Sequence, residues 1–386
     1  MTPSARAEIV VDVGAIRRNV RLLRTLVSAE RPVQLLAVVK ADGYGHGMPE
    51  AARAAREGGA EWLGVATIDE ALALRAGGDT GRLLCWLTVP GEDYAAALQA
   101  DIDLTAYSVA ELDEIAAAAA TTGRIARVQL KVDTGLTRGG APRDAWAEVV
   151  ARAVDGERAG HWRVTGVWSH FAAADQPDHP ANAAQEQGFI DALALAEQAG
   201  LRPEIRHLAN SAAAILRPSS RFDLVRCGIV IYGLDPAPGV TDDLGLVPAM
   251  TVRAQLALVK RVAPGESISY GHTWTADHAT TVGLVPVGYG DGVPLHASNT
   301  AEAAVGGKRR PIRGQVCMDQ VVVDLGGDDA EAGDEVVLFG TGADGEPTAQ
   351  DWAEACNTIN YEIVTRIGGR MRRCYVDSEA TEGAGG

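Results

Sequence analysis

Short apolar runs alternate with alanine-rich segments from Leu35 to about Arg226. A short apolar run bounded by turn residues is typical of a buried parallel strand, and the longer alanine-rich segments favour helices. The apolar runs predict strands at 35–39, 62–66, 83–87, 102–105, 125–132, 164–168, 205–208 and 224–225. The segments between them predict helices that include 49–57, 68–76, 109–120 and 185–198.

This alternation predicts one parallel sheet, because each helix returns the chain to the same edge before the next strand begins. Eight strand–helix units over roughly 200 residues favour a (β/α)₈ barrel, with a doubly wound open sheet as the alternative. The helix at 68–76 also has a start signal. Thr67 is a predicted N-cap, and Glu70 stands at the third helical position, as in a capping box.

The pattern changes after about Asp243, where apolar and polar residues alternate over 251–258 as in a half-buried antiparallel strand. Similar segments follow at 281–287, 321–324 and 336–339, interrupted by one helix at 349–357. We therefore predict two domains and a tail. The ranges are 10–240 for the barrel, 244–378 for a mostly antiparallel β domain joined by residues 1–9, and 379–386 for a disordered tail, with a linker near 235–239.

Composition narrows the class of protein. Hydrophobic residues make up 47% of the 386 residues and charged residues 22%, which is ordinary for a globular protein. A net charge of −16 argues against nucleic-acid and anionic-membrane partners. No apolar stretch has the length of a signal peptide or a membrane span, and the five cysteines form no CxxC pair, so we expect a cytoplasmic location. The scattered histidines predict no metal site.

Lys40 is the strongest candidate for chemistry. It ends the first apolar run and precedes a glycine-rich turn, which places it at the barrel edge where catalytic groups lie. A partly buried amine has a lowered pKa and can form a Schiff base with a carbonyl cofactor. The alternative is a solvated lysine at a strand end.

Other polar side chains follow the ends of other predicted strands, which favours a single site at one barrel mouth. They are Tyr44, Trp86, Lys131, Asp133, Arg138, His170, Asn210, Ser211 and Arg226. Gly228, together with the hydroxyl of Ser211, would suit a phosphate, although a plain turn is the alternative. The neighbouring cations Lys131 and Arg138 would need an anion nearby, unless they form an ordinary surface loop.

Several motifs together resemble those of the pyridoxal-phosphate-dependent alanine racemases. In order along the chain they are VVKADGYGHG at 38–47, KVDTG at 131–135, SHFA at 169–172, NSA at 210–212, RCGI at 226–229, SYG at 269–271, CMD at 317–319 and INYE at 359–362. The resemblance covers about residues 7–376. It implies a (β/α)₈ barrel followed by a β domain, in agreement with the pattern.

The resemblance also implies an activity and its residues. The enzyme would interconvert L-alanine and D-alanine for peptidoglycan synthesis, as a homodimer in which the β domain of one subunit completes the site of the other. Lys40 would carry pyridoxal 5′-phosphate and Tyr270 would be the second base. The implied cofactor-binding residues are Lys40, Tyr44, Trp86, His170, Asn210, Ser211, Arg226, Gly228, Ile229 and Tyr361, the substrate-binding residues are Arg138 and Met318, the candidate carbamylated lysine is Lys131, and the entry corridor contains Asp175 and Tyr289.

The chemistry of racemisation suits this set, because a proton must leave one face of the α-carbon and return on the other. Three alternatives stay open at this point. One is a serine or broad-specificity racemase of the same fold, and another is a pyridoxal decarboxylase on the same two-domain plan. The third is a non-catalytic cofactor-binding barrel protein, although such proteins lack a β domain with a residue like Tyr270.

Overall fold

The computed structural model describes residues 6–383 and contains a barrel and a separate set of antiparallel sheets. The strands are β1 (Ala7–Asp12), β2 (Gln34–Val38), β3 (Trp62–Val65), β4 (Arg82–Cys85), β5 (Asp103–Ala106), β6 (Ala126–Lys131), β7 (Trp162–Trp168), β8 (Ile205–His207), β9 (Leu224–Cys227), β10 (Met250–Gln255), β11 (Leu258–Val262), β12 (Ser267–Ile268), β13 (Trp274–Thr275), β14 (Thr280–Val285), β15 (Glu302–Val305), β16 (Lys308–Pro311), β17 (Val321–Gly326), β18 (Glu335–Phe339) and β19 (Arg372–Val376).

Helical segments connect these strands. They are α1 (Val13–Val27), α2 (Lys40–Tyr44, a single turn), α3 (Met48–Glu57), α4 (Ile68–Ala76), α5 (Tyr94–Gln99), α6 (Val109–Thr122), α7 (Trp146–Arg158), α8 (Pro180–Gln198), α9 (Ser211–Leu216), α10 (Ala349–Ala355), α11 (Asn360–Arg366) and α12 (Ser378–Gly383). Among the described residues, no helix is both long enough and apolar enough to cross a bilayer.

The predicted barrel is confirmed. Strands β2 to β9 form one parallel sheet in the order β8-β7-β6-β5-β4-β3-β2-β9. Two backbone hydrogen bonds cross the remaining seam, from Asp223 N to the Arg206 carbonyl and from Arg226 N to the Ala209 carbonyl, each at 3.0 Å. The sheet therefore nearly closes on itself, which rules out the open-sheet alternative. Each predicted strand is found close to its expected bounds.

Apolar side chains fill the inside of the barrel, which explains why its strands read as continuous apolar runs. One buried cluster takes residues from five barrel strands: Leu36, Val38, Trp62, Leu84, Ile205 and Leu224. Burying a side chain of this size contributes about 1.5–3 kcal/mol. On the outside, the predicted capping box at the start of α4 is present, with Thr67 and Glu70 bonded reciprocally. The helices thereby fix the strand ends that open at the mouth.

The second part of the chain is antiparallel, as its alternating pattern predicted. Its largest sheet has the order β16-β15-β18-β10-β1-β19, and β11, β14 and β17 form a smaller sheet. Strand β1 pairs with β10 in antiparallel fashion and with β19 in parallel. The boundary expected between residues 9 and 10 therefore falls inside β1, and the segment predicted as one strand at 251–258 divides between β10 and β11.

The expectation of a disordered tail from residue 379 is wrong for residues 379–383, which belong to α12. Glu379 accepts hydrogen bonds from Arg17 at 2.9 Å and from Arg21 at 2.6 Å, both on α1. The small, polar composition of the tail concealed these ion pairs, since their partners lie at the other end of the sequence. Residues 384–386 lie outside the described part of the chain.

Two helix-interior glycines give opposite predictions for stability. A Cβ at Gly156 of α7 would overlap the ring of Trp162, whose indole donates to the Ala153 carbonyl at 2.9 Å. Gly156→Ala should therefore lower the free energy of unfolding by about 1–3 kcal/mol through overpacking. A Cβ at Gly188 of α8 would meet its nearest atom, on Thr134, at 3.7 Å. Gly188→Ala should raise that free energy by about 0.5–1 kcal/mol.

Urea unfolding of both variants and the wild type measures these changes. Equal effects of the same sign at the two positions would contradict the packing argument, because the substitution is identical and only the neighbours differ.

Candidate active site

The carboxyl ends of the barrel strands surround a cavity of about 970 Å³, which α11 of the second part of the chain helps to enclose. Most of the residues predicted from the sequence line it: Lys40, Tyr44, Trp86, Lys131, Arg138, His170, Asp175, Asn210, Ser211, Arg226, Gly228 and Tyr361. Parallel strands bring their ends to one edge, so residues distant in sequence meet here.

Lys40 begins a turn of left-handed backbone. The residues Ala41, Asp42, Gly43 and Tyr44 have φ values of 52°, 53°, 63° and 53°. A left-handed conformation costs roughly 1–2 kcal/mol for each residue with a side chain, so neighbouring groups must hold the turn. The Ala41 N–H donates to Glu70 at 2.7 Å, and the Met48 N–H donates to Asp42 at 2.9 Å.

The environment of Lys40 favours its neutral amine. Burial is the main cause that lowers the pKa of Lys40, and the Arg138 guanidinium adds to it, while Glu70 acts in the opposite direction. The Lys40 Nζ lies 5.9 Å from the centre of the Trp86 ring. A neutral amine at the edge of a cavity is a nucleophile and a base.

Trp168 is a site residue that the sequence analysis missed. It ends β7, and two cations lie over its ring, with Lys131 Nζ at 4.5 Å and the Arg226 guanidinium carbon at 4.7 Å from the ring centre. The Trp86 ring meets it edge-on at 6.3 Å. Aromatic faces attract cations, so the two indoles supply part of the stabilisation that carboxylates provide elsewhere. Trp168 directly precedes Ser169 and His170 in the sequence, and this position could have identified it as a site residue.

Arg226 is buried and bonded to neutral acceptors. Its guanidinium donates to the Ser169 carbonyl at 2.7 Å, the Leu208 carbonyl at 2.9 Å and the His207 carbonyl at 3.3 Å. It also lies 3.0 Å from His207 Nδ1 and 3.1 Å from His170 Nδ1. Burial lowers the pKa of Arg226 to about 9, which still leaves the group charged at neutral pH.

These contacts set the protonation of both histidines. Burial and the adjacent Arg226 hold the pKa values of His170 and His207 well below their usual range, so both rings are neutral. Since arginine can only donate, Nδ1 of each ring accepts and the proton stays on Nε2. His207 Nε2 then donates to Gln129 Oε1 at 2.7 Å. Neither His207 nor Gln129 was predicted, because inward-facing polar residues of a barrel look like ordinary strand positions.

Lys131 is a third cation at the mouth. Burial, then Arg226 and Arg138, lower the pKa of Lys131 to about 8. Within the part of the chain that the structure describes, no carboxylate lies within ion-pair distance of its amine. The cavity is therefore positive near Lys131 and would attract an anion. This agrees with the prediction made from the two neighbouring cations, Lys131 and Arg138.

The residues of the predicted phosphate cradle line the same cavity. The Gly228 N–H donates to Ser211 Oγ at 2.9 Å, and a Cβ at Gly228 would overlap the Tyr44 hydroxyl. The rings of Tyr44 and Tyr361 lie 6.3 Å apart. Asn210 caps α9 by accepting from Ala213 N at 3.0 Å. Ile229 is fully buried behind the cradle rather than on the cavity wall.

Three other predicted residues lie on the second part of the molecule and do not line this cavity. Tyr270, Met318 and Tyr289 are 69%, 53% and 45% exposed on the second part of the molecule. Backbone bonds hold two of their loops together, since Tyr289 N donates to the Cys317 carbonyl at 3.0 Å. Ser269, beside Tyr270, donates to the Gln315 carbonyl at 2.6 Å. The loops that carry these residues therefore lie close together, and none of the three side chains lines the cavity of this chain.

Comparison with known proteins gives a consistent result. Residues 11–236 match the model of the alanine racemase N-terminal domain, and residues 249–375 match that of the C-terminal domain. An alanine racemase of Salinispora tropica is 53% identical over 371 residues, covering 96% of this chain and 98% of the relative.

Solved structures agree with this match. The crystal structure of alanine racemase from D-cycloserine-producing Streptomyces lavendulae has a TM-score of 0.95 at 51% identity, covering 98% of each chain. The alanine racemase of Streptomyces coelicolor A3(2) has a TM-score of 0.94 at 52% identity, covering 97% of this chain and 98% of that one.

The environment of Lys131 predicts an unusual titration. Competitive amine labelling in bicarbonate-free buffer should give half-maximal reaction of Lys131 near pH 8, against about 10.4 for lysine in the urea-unfolded chain. Because the unfolded chain holds the extra proton between these values, the contribution of Lys131 to stability should increase as pH rises through this window. Arg138→Gln should move the midpoint upward, since it removes a neighbouring cation. A midpoint near the unfolded value would contradict the analysis.

Proposed function

This chain belongs to the alanine racemase family and interconverts L-alanine and D-alanine with pyridoxal 5′-phosphate, and we propose that Lys40 and Tyr270 are its two bases. The D-alanine that it forms supplies peptidoglycan synthesis, as in the family. The observation that carries the proposal is the cavity itself, whose wall contains a half-buried amine of lowered pKa, an anion cradle and a buried arginine.

The residues of the cavity fit the cofactor. The missing Cβ of Gly228 leaves room for Tyr44 beside the backbone N–H, so Gly228, Ser211, Tyr44 and Tyr361 would hold the phosphate. The backbone of Ile229 would add to this cradle. When bound, pyridoxal 5′-phosphate supplies an aldehyde that joins an amine and a ring that acidifies the substrate α-hydrogen.

Arg226 would face the ring nitrogen of the cofactor and keep it from gaining a proton. Its N–H groups are already directed at backbone carbonyls and at two neutral imidazoles, and the group stays cationic at neutral pH. A guanidinium does not give up its proton readily, unlike a carboxylic acid. His170 and Trp86 would pack against the cofactor, and Asn210 would hold the start of α9 in place. This arrangement favours racemisation over transamination, since it limits the withdrawal of electrons into the ring.

Two bases are needed on opposite faces of the α-carbon, and the barrel supplies one of them. Lys40 lies in the cavity, whereas Tyr270 is exposed on another face of the same chain. A second subunit that places its Tyr270 over the mouth would bring the bases together, so we propose a homodimer with shared sites. Met318 shares this exposed face, and its backbone would bind the substrate carboxylate together with Arg138.

The charge at the mouth supports a carbamate on Lys131. With a pKa of about 8, an appreciable fraction of the Lys131 amine is neutral near pH 7 and can combine with carbon dioxide. A carbamate would replace a cation by an anion and orient Arg138. Asp175 on the cavity wall and Tyr289 of the partner would flank the substrate entrance.

We also propose a cytoplasmic location. The five cysteines are free, as expected in a reducing compartment. They are Cys85, Cys227, Cys317, Cys356 and Cys374.

Replacement of Tyr270 tests the assignment of the bases. Tyr270→Phe should lower racemisation at least ~10²-fold, the scale of a general base. In the family's arrangement the tyrosine serves L-alanine and the lysine serves D-alanine. Exchange of the α-hydrogen in heavy water should therefore persist for D-alanine and be lost for L-alanine.

Borohydride fixation followed by peptide mapping is the control. It should label Lys40 in both the wild type and Tyr270→Phe, which shows that the variant still binds the cofactor. Equal loss of exchange from both enantiomers, with Lys40 still labelled, would mean that Tyr270 is not a face-specific base. Label on another lysine would refute the assignment of Lys40.

Mixing two inactive variants tests the shared site. In a mixed dimer of Lys40→Ala and Tyr270→Ala subunits, one site has both native residues and the other has neither. Random exchange makes half of the dimers mixed, with one intact site in two, so about a quarter of wild-type activity should return. Mass-tagged subunits verify that exchange has taken place. If no activity returns after verified exchange, or if a monomer in sedimentation is fully active, the proposal is refuted.

A further inference from the structure

The turn after Lys40 is attached to the second part of the molecule. Arg373, on β19 of the six-stranded sheet, forms an ion pair with Asp42 at 2.8 Å. Asp42 is the second of the left-handed residues after Lys40. A side chain from β19 therefore contacts the segment that carries the proposed base.

Asp42 uses both carboxylate oxygens and its backbone. Oδ1 accepts from Met48 N at 2.9 Å, Oδ2 pairs with Arg373, and the Asp42 carbonyl accepts from Gly47 N at 2.8 Å. One residue in an unfavourable conformation is thus fixed to the start of α3 and to another sheet. Strained residues persist only where the surroundings hold them in this way.

The same turn packs tightly against the second part of the chain. A Cβ at Gly45 would overlap the Val364 carbonyl of α11, and a Cβ at Gly47 would overlap the Tyr375 hydroxyl of β19. The His46 ring adds a contact inside the turn, with Nδ1 at 3.0 Å from the Gly43 carbonyl. The turn therefore packs closely against β19 and α11, and Arg373 adds an ion pair to this packing.

We propose that Arg373 is a positioning residue for Lys40: by holding Asp42, it keeps the left-handed turn that directs Lys40 and Tyr44 into the cavity. This inference rests on the proposed role of Lys40. Without the ion pair, Ala41 and Asp42 can relax toward the ordinary right-handed backbone, which changes the directions of the lysine before them and the tyrosine after them. The expected defect is one of orientation, with the chemical groups all present.

The holoenzymes of Arg373→Gln and Arg373→Lys provide the test. We expect Arg373→Gln to lower kcat about tenfold, since small displacements of a reacting group have effects of this size or larger. Its KM for alanine should not change, and cofactor should dissociate faster, as followed by visible absorbance during dialysis. Arg373→Lys should restore most of both properties, because its ammonium group keeps the charge.

Arg372→Gln is the matched control, because Arg372 precedes Arg373 on the same strand, is exposed, and pairs with no described carboxylate. It should leave kcat and cofactor retention unchanged. Adding Asp42→Asn to Arg373→Gln should produce no further loss, since the two residues act through one contact. Asparagine tolerates the left-handed backbone, so this substitution removes only the charge.

Two outcomes would overturn the inference. One is that Arg373→Gln matches Arg372→Gln in kcat and cofactor retention. The other is that it lowers only the melting temperature, with kcat of the folded enzyme unchanged, which would make the contact merely structural. Absence of borohydride label on Lys40 in the wild type would instead mean that the proposed function of Lys40 has failed.

Discussion

The accumulation of positive charge in a buried cavity is the constraint on which this site depends. Lys40, Lys131, Arg138 and Arg226 all line the cavity, and the groups nearest Arg226 are carbonyls, neutral imidazoles and the Trp168 ring. Each cation makes it harder for its neighbours to stay protonated. The arrangement therefore lowers the pKa values of the two amines and of the two histidines near the mouth, and it favours the binding of anions there. A phosphate and a carboxylate are the anions that the reaction brings.

The barrel and the antiparallel part of the fold each contribute different groups to the cavity. The parallel barrel brings distant residues to one edge, and it buries Lys131 and Arg226 against the Trp168 ring. The antiparallel part supplies α11, with Tyr361, to the wall of the same cavity. It also packs against the turn after Lys40. It also displays Tyr270 on another face. In the proposed homodimer, a second chain would bring this residue to the cavity.

Periodicity in the sequence predicted the strands and their convergent ends, whereas contacts between residues distant in sequence stayed hidden. Lys40, His170 and Arg226 were found because strand ends in a parallel barrel converge. Trp168 and His207 were missed, since an apolar pattern does not reveal which buried side chain will face a cation. The left-handed backbone after Lys40 was also hidden, because alanine and aspartate do not signal it. The helix at residues 378–383 was hidden for the same reason, since the partners of Glu379 on α1 lie more than three hundred residues away in the sequence.

The position of β1 has a consequence for the order in which the molecule is made. This strand precedes the barrel in the sequence, yet its two neighbours, β10 and β19, follow the whole barrel, and β19 is the last strand of the described residues. On the ribosome, the barrel segments can pair as they emerge, while β1 stays unpaired until β10 has left the exit tunnel and gains its second neighbour only with β19. Because the turn after Lys40 packs on β19, a chain that ends before β19 would lack the contacts that hold this turn.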